Sequence, residues 1–160
     1  MLKLTDQQIA DYFHRSYTAV DGLWFMKVEA ACGFDTALDI DVEVWKVMPK
    51  IQARKLKALS GRENGLDALF ECFTTKLAIE HFEFTAVRDP AGGFEVRMTA
   101  CPWVELLAKA NRLHLAEKIG TRICDTEYTV WAREFGPDIR VEFADRLCKG
   151  CSTCTVRFAP

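Results

Sequence analysis

Closely spaced cysteines near the C-terminus constrain this chain more than any other feature of its sequence. Three of them follow one another at intervals of three residues, directly before residues 155–158, which show the apolar alternation of a β-strand. Two more lie earlier in the same half of the chain. Thiols clustered in this way are typical of metal sites and of reactive thiols. We therefore expect the C-terminal half to fold so that five side chains meet: Cys101, Cys124, Cys148, Cys151 and Cys154.

A thiol set of this kind predicts a bound zinc ion or an iron–sulfur cluster. Four thiolates satisfy the tetrahedral coordination of zinc, and four cysteines also hold the common iron–sulfur clusters. The run Cys-x-x-Cys-x-x-Cys resembles the start of a bacterial ferredoxin cluster site. Five thiols exceed the four positions, so the spacing leaves open which four are ligands. Two alternatives stay open, namely redox-active thiols and cysteines that are simply buried in the core.

Length and charge limit the other classes of function. A chain of 160 residues fits one domain with its own core, and we expect a single domain over 1–160, helical over 5–80 and with the sheet and cysteine site over 81–160. The net charge of −2 argues against a nucleic-acid partner. No apolar run reaches the length of a membrane helix, and the N-terminus lacks the apolar core of a secretory signal. The chain is thus expected to be cytoplasmic, where thiols stay reduced.

Apolar periodicity predicts helices first and strands later. Thr5 is expected to cap a long helix that ends at Cys32-Gly33, with Gly22 permitting a kink or a close approach. Pro49 is expected to kink or restart the second helix. The further predicted helices are 35–59, 63–79, 102–107, 113–119 and 124–135, and the predicted strands are 81–87, 94–98, 139–143 and 155–158, with a turn at 89–93.

This order of elements predicts an α+β fold. We expect the N-terminal helices to pack on a small antiparallel four-stranded sheet, with further helices inserted between its strands.

Cys101 has a separate chemical argument. Pro102 suits the first position of a helix, which makes Cys101 the N-cap. The free N–H groups and the positive end of the helix dipole are expected to lower the pKa of a thiol there. Such a thiol could serve as a metal ligand or as a nucleophile. The alternative is that Cys101-Pro102 only fixes the start of a helix.

The first helix carries two acids on one face. Asp21 and Glu29 are eight residues apart with Phe25 midway, so both carboxylates lie on the same side of the helix. They could act in acid–base catalysis or hold a cationic ligand, with the neighbouring Trp24 as a ligand-binding residue. The alternative is an ordinary solvated helix face.

The segment Asp21-Gly-Leu-Trp-Phe25 carries a resemblance that extends over nearly the whole chain. With Val28-Glu29, Gly33, Ala37 and Val44-Trp45, it resembles an uncharacterised prokaryotic family that has a DGLWF signature and a C-terminal set of cysteines. The later half is similar to L-2-amino-thiazoline-4-carboxylic acid hydrolase-like proteins, through Cys101-Pro102, Cys124-Asp125 and the strand that begins at Cys154. The resemblance implies a shared set of Cys101, Cys124 and Cys154.

These observations leave three hypotheses for function. The first is a cysteine-rich protein that binds zinc or an iron–sulfur cluster. The second is a hydrolase that acts on a C–N bond of a small molecule, with Cys101 or a metal-bound water as nucleophile and Asp21 or Glu29 in proton transfer. The third is a ligand-binding or redox sensor, in which the aromatic first helix forms the seam of a homodimer.

Overall fold

The computed structural model describes residues 1–90 and 92–160. Its contacts divide the chain into two compact units, Met1–Glu43 and Val44–Pro160. The α-helices are α1 (Asp6–Cys32), α2 (Phe34–Trp45), α3 (Met48–Ser60), α4 (Leu66–Ile79), α5 (Pro102–Lys109) and α6 (Ala116–Phe135). The strands are β1 (Glu83–Arg88), β2 (Phe94–Ala100), β3 (Arg140–Asp145) and β4 (Cys154–Ala159). Two 3₁₀ turns, Leu113–Leu115 and Leu147–Lys149, complete the described structure.

The first unit is dominated by the long helix α1. Thr5 caps it as predicted, in a reciprocal capping box: the Thr5 hydroxyl accepts from the Gln8 N–H, and the Gln8 side chain accepts from the Thr5 N–H. Gly33 follows the helix with a φ of 86° and donates its N–H to the Glu29 carbonyl. The helix continues through Gly22 without interruption, and no atom lies within 4 Å of a Cβ placed there, so neither a break nor a close approach occurs.

The second predicted helix is two helices. We expected one helix from residue 35 to 59 with a kink or restart at Pro49. In the structure the first helix ends at Trp45 and a new helix begins at Met48. Pro49 lies in the first turn of α3, where its missing N–H leaves no helical hydrogen bond unmade.

The four strands form one antiparallel sheet in the order β1-β2-β4-β3. The first two strands are the predicted hairpin. In its predicted turn at 89–93, the Asp89 N–H donates to the Gly93 carbonyl; Ala91 lies outside the described residues. The last strand of the chain, β4, lies inside the sheet, with Met98 of β2 opposite Cys154 of β4.

The core of the second unit lies between the sheet and α3, α4 and α6. Phe73 of α4 is fully buried, and its ring makes edge-to-face contacts with Trp131 and Tyr128 of α6 and with Phe158 of β4. The two helical stretches predicted at 113–119 and 124–135 are wrong as separate elements. Residues 116–135 form one continuous helix, α6, and within the stretch that joins the two predictions Gly120 packs against Cys148 and Ile123 is buried.

The predicted α+β fold is confirmed by this architecture. The single domain over 1–160 stays a prediction. None of the helices in residues 1–90 and 92–160 is both long enough and apolar enough to cross a membrane.

Candidate functional site

Four of the five predicted cysteines converge in the second unit, each from a different element. Cys101 precedes α5, Cys124 lies within α6, Cys148 lies in the 3₁₀ turn before β4, and Cys154 begins β4. The Cys124 thiol is close enough to the other three to interact with each electrostatically. We call these four residues the thiol cluster.

The sheet brings two members of the thiol cluster together. Strands β2 and β4 run antiparallel, with Met98 opposite Cys154. The chain leaves β2 at Cys101, three residues after Met98. The last residues of β2 and the first residues of β4 therefore lie at the same end of the sheet. This pairing could not be predicted from the cysteine spacing, because it depends on which strands are neighbours.

Gly120 brings the third member against α6. It lies one helical turn before Cys124, on the same face of the helix. A Cβ at Gly120 would lie 2.7 Å from Cys148 Cβ and 2.9 Å from Cys148 Sγ, closer than packed atoms allow. Only glycine therefore lets the 3₁₀ turn approach α6 so closely. The sequence signal for this contact is a glycine four residues before a helical cysteine, and we did not predict the contact from it.

Burial keeps the thiols neutral. Burial raises the pKa of all four members of the thiol cluster above that of a free cysteine, and it raises that of Cys154 to about 11. At Cys148 the Arg146 charge and the Thr121 hydroxyl act in the opposite direction, but more weakly. At neutral pH the cluster therefore consists of thiols rather than thiolates.

The expected fall in the pKa of Cys101 is wrong. Cys101 is the N-cap of α5 as predicted, and the N–H groups of Val104 and Trp103 do favour its thiolate. Burial outweighs them, so the pKa of Cys101 is raised. This does not favour Cys101 as a nucleophile in the described conformation.

The fifth predicted cysteine differs from the thiol cluster in its exposure. Cys151 is exposed, one residue after Gly150, which adopts the left-handed conformation with a φ of 81°. Of the two remaining cysteines, Cys72 is buried in the core beside the Ser60 hydroxyl, and Cys32 is exposed at the end of α1.

A buried ion triad lies beside the thiol cluster. The Lys76 ammonium is 2.9 Å from a Glu80 carboxylate oxygen and 2.6 Å from a Glu127 carboxylate oxygen, and all three side chains are at least 92% buried. Burial lowers the pKa of Lys76, but the two carboxylates more than offset it, so Lys76 stays charged. Glu127 follows Cys124 by three residues on α6, and its carboxylate acts on both Cys124 and Cys101.

The triad was not predicted from the sequence. Its only signal is Lys76, a charge inside the apolar stretch of α4.

The thiol cluster does not form a closed metal site in the described conformation. Within residues 1–90 and 92–160, no group of three or more His, Cys, Asp or Glu side chains is positioned to hold a metal ion. The donor set nevertheless suits zinc or an iron–sulfur cluster, since four cysteines are the usual ligands of both.

The acids and the tryptophan predicted as site residues lie in the first unit. Asp21, Trp24 and Glu29 are all on α1. Burial raises the pKa of Asp21 from 3.8 to about 6. The Trp24 side chain is 48% exposed.

The fold and the site together define an α+β protein with a half-buried cluster of four neutral thiols. A family described as "Family of unknown function (DUF6125)" matches residues 3–152, and the chain belongs to that family. No curated protein and no solved structure matches the chain. The family match supports the expected membership of an uncharacterised family. The resemblance to thiazoline-carboxylate hydrolase-like proteins stays a prediction.

Proposed function

We propose that the second unit binds a metal, zinc or an iron–sulfur cluster, through Cys101, Cys124, Cys148 and Cys154. The observation that carries the proposal is the convergence of four cysteines from four separate elements around Cys124. Buried cysteines are common one at a time. Four that meet, beside a glycine needed for their approach, match the ligand number of a tetrathiolate site.

Loading requires two changes in the thiol cluster. The thiol side chains rotate to face a common point, since no such arrangement exists in the described residues. The thiols also lose their protons, because thiolate is the ligand. The Lys76 ammonium favours the Cys101 thiolate, and the Glu127 carboxylate opposes it. The two charges oppose each other, and burial affects the pKa of Cys101 more than either does.

A bound metal would tie together the start of α5, the middle of α6, the 3₁₀ turn and β4. Since these elements are far apart in the sequence, the free energy of binding adds to the stability of the folded second unit. This role does not require catalytic turnover.

The experiment that tests the proposal is metal analysis of protein purified without oxygen, together with its visible spectrum. We expect about one zinc ion per chain without colour, or iron, sulfide and a brown chromophore. Cys124→Ser should lose the metal, because Cys124 is the member that neighbours all the others. Cys151→Ser is the matched control and should keep it, since Cys151 is exposed.

Two outcomes would overturn metal binding. One is a metal-free protein after growth and refolding with zinc or iron. The other is equal loss of metal in Cys124→Ser and Cys151→Ser, which would assign the metal to the surface or to the whole fold. A metal-free protein whose four thiols are oxidised reversibly would favour the redox sensor.

A second candidate is an enzyme that acts on a small molecule. It is favoured by the pKa of about 6 at Asp21, which suits a group that exchanges protons near neutral pH. The probe is 2-amino-thiazoline-4-carboxylate: hydrolysis of its ring C–N bond by water opens the ring and frees a primary amine, and the formation of this amine is the readout. Turnover that is lost in Asp21→Asn and kept in Asp11→Asn, an acid of the same helix, would support this candidate. No turnover by the wild-type protein would end it.

A further inference from the structure

The α1 helix displays an apolar face that is large for a single chain. Six large side chains on this helix are between 41% and 66% exposed. With 3.6 residues per turn they fall within an arc of about 120°, along roughly four turns. We call them the α1 face: Ile9, Tyr12, Phe13, Val20, Leu23 and Trp24.

The area of the α1 face matches one half of a stable interface. A fully exposed side chain of this size presents about 200 Å², so the six together expose on the order of 700 Å² at their observed exposures. The largest apolar patch on a typical monomer covers about 300–600 Å². A standard protein interface buries about 800 Å² on each partner.

We propose that the α1 face binds the α1 face of a second copy of this chain, with the two helices antiparallel. Four of the six side chains then pair with one another. Residues whose numbers add to 33 lie opposite each other, which places Ile9 against Trp24 and Phe13 against Val20. The same pairing sets Asp6 against Lys27, so the ends of the seam carry opposite charges. A parallel pair would instead place like charges together at each end.

The charges of α1 also favour another copy of the chain over a membrane surface. Basic residues usually flank the apolar face of a helix that lies on anionic lipid. On α1 the acids outnumber the bases: Asp6, Asp11, Asp21 and Glu29 against Arg15 and Lys27. The inference uses none of the cysteines, so it stands or falls separately from metal binding.

Molar mass measured by light scattering over a range of concentrations tests the dimer. The wild-type chain should have twice its monomer mass, and Val20→Glu or Leu23→Glu should reduce it to that of one chain. Leu59→Glu is the matched control, since Leu59 is 68% exposed on α3 in the second unit. It should leave the dimer intact. Far-ultraviolet circular dichroism shows that each variant is folded.

Charge exchange tests the antiparallel direction without altering the apolar seam. Lys27→Glu should weaken dimerisation by about two- to thirtyfold, because the symmetric dimer loses two surface ion pairs. Adding Asp6→Lys to that variant should restore it. A wild-type chain that stays monomeric at the highest concentration would overturn the proposal, as would a dimer that survives both Val20→Glu and Leu23→Glu. Failure of the double charge variant to recover would overturn the antiparallel pairing.

Discussion

Two glycines within helices of this chain have opposite surroundings. Gly22 lies in α1, and a Cβ added there would have no atom within 4 Å, whereas a Cβ at Gly120 would collide with Cys148. Glycine inside a helix is less stable than alanine by about 1 kcal/mol. The same substitution therefore has opposite consequences at the two positions.

Gly22→Ala should raise the free energy of unfolding by up to about 1 kcal/mol, because it gains helix propensity at no steric cost. Gly120→Ala should lower it by about 1–3 kcal/mol, the usual effect of overpacking. Urea unfolding of both variants measures the difference. A stabilised Gly120→Ala would show that the 3₁₀ turn yields easily, and the close approach to Cys148 would lose its significance.

Asp21 makes stability depend on pH. Its pKa is about 6 in the folded chain and 3.8 when unperturbed, so the folded state holds the proton more tightly. Its contribution is fully present below pH 4 and is lost as the pH rises through 6. Each pKa unit corresponds to about 1.4 kcal/mol, so the loss is at most about 3 kcal/mol.

Asp21→Asn should therefore be more stable than the wild-type protein at pH 7, by no more than that amount. The difference between the two unfolding curves should shrink towards pH 4. Comparing the two proteins cancels the other carboxylates that titrate in this range. A difference that is constant from pH 4 to 8 would contradict a raised pKa at Asp21.

At the scale of elements, local pattern predicted most of the fold. The capping signal at Thr5 and the glycine at position 33 predicted both ends of α1, and alternation predicted the hairpin. The extent of α6 was missed at residues 120–123, where a glycine and two polar residues interrupt the apolar period of the helix.

The candidate site was only partly predictable. Spacing showed where the cysteines gather along the chain. Which cysteines come into contact depends on which strands are adjacent in the sheet. It also depends on the turn at Gly150, after which Cys151 is exposed. The ion triad joins α4 to α6, and a contact between distant elements leaves no periodic signal in either one.

The ion triad gives a prediction at the same scale. Lys76→Met should lower the free energy of unfolding by about 3–5 kcal/mol, because it leaves two buried carboxylates without a cation. Lys109→Met is the matched control: Lys109 also pairs with a glutamate four residues away, but both side chains are more than half exposed. It should change stability by less than about 1 kcal/mol. Equal effects in a denaturant titration would mean that burial does not strengthen the Lys76 pairs.

At the scale of the whole molecule, metal binding and folding should be coupled. A metal that binds only the folded chain adds about 2.7 kcal/mol to its stability when its free concentration is about a hundred times the dissociation constant. A chelator should therefore lower the melting temperature of the wild-type protein and of Cys151→Ser. It should leave Cys124→Ser unchanged. A chelator that has no effect on any of the three would contradict the coupling.

The position of β4 has a consequence for the order in which the chain can fold. β4 is the last strand in sequence, yet it pairs with both β2 and β3. Until β4 has been synthesised and has paired, each of these strands has an unpaired edge, which can pair with a strand of another chain. During synthesis the edge of β2 stays unpaired while α5, α6 and β3 are made. A chain truncated before Cys154 would keep both edges open, and it should accumulate as aggregate rather than as a smaller soluble protein.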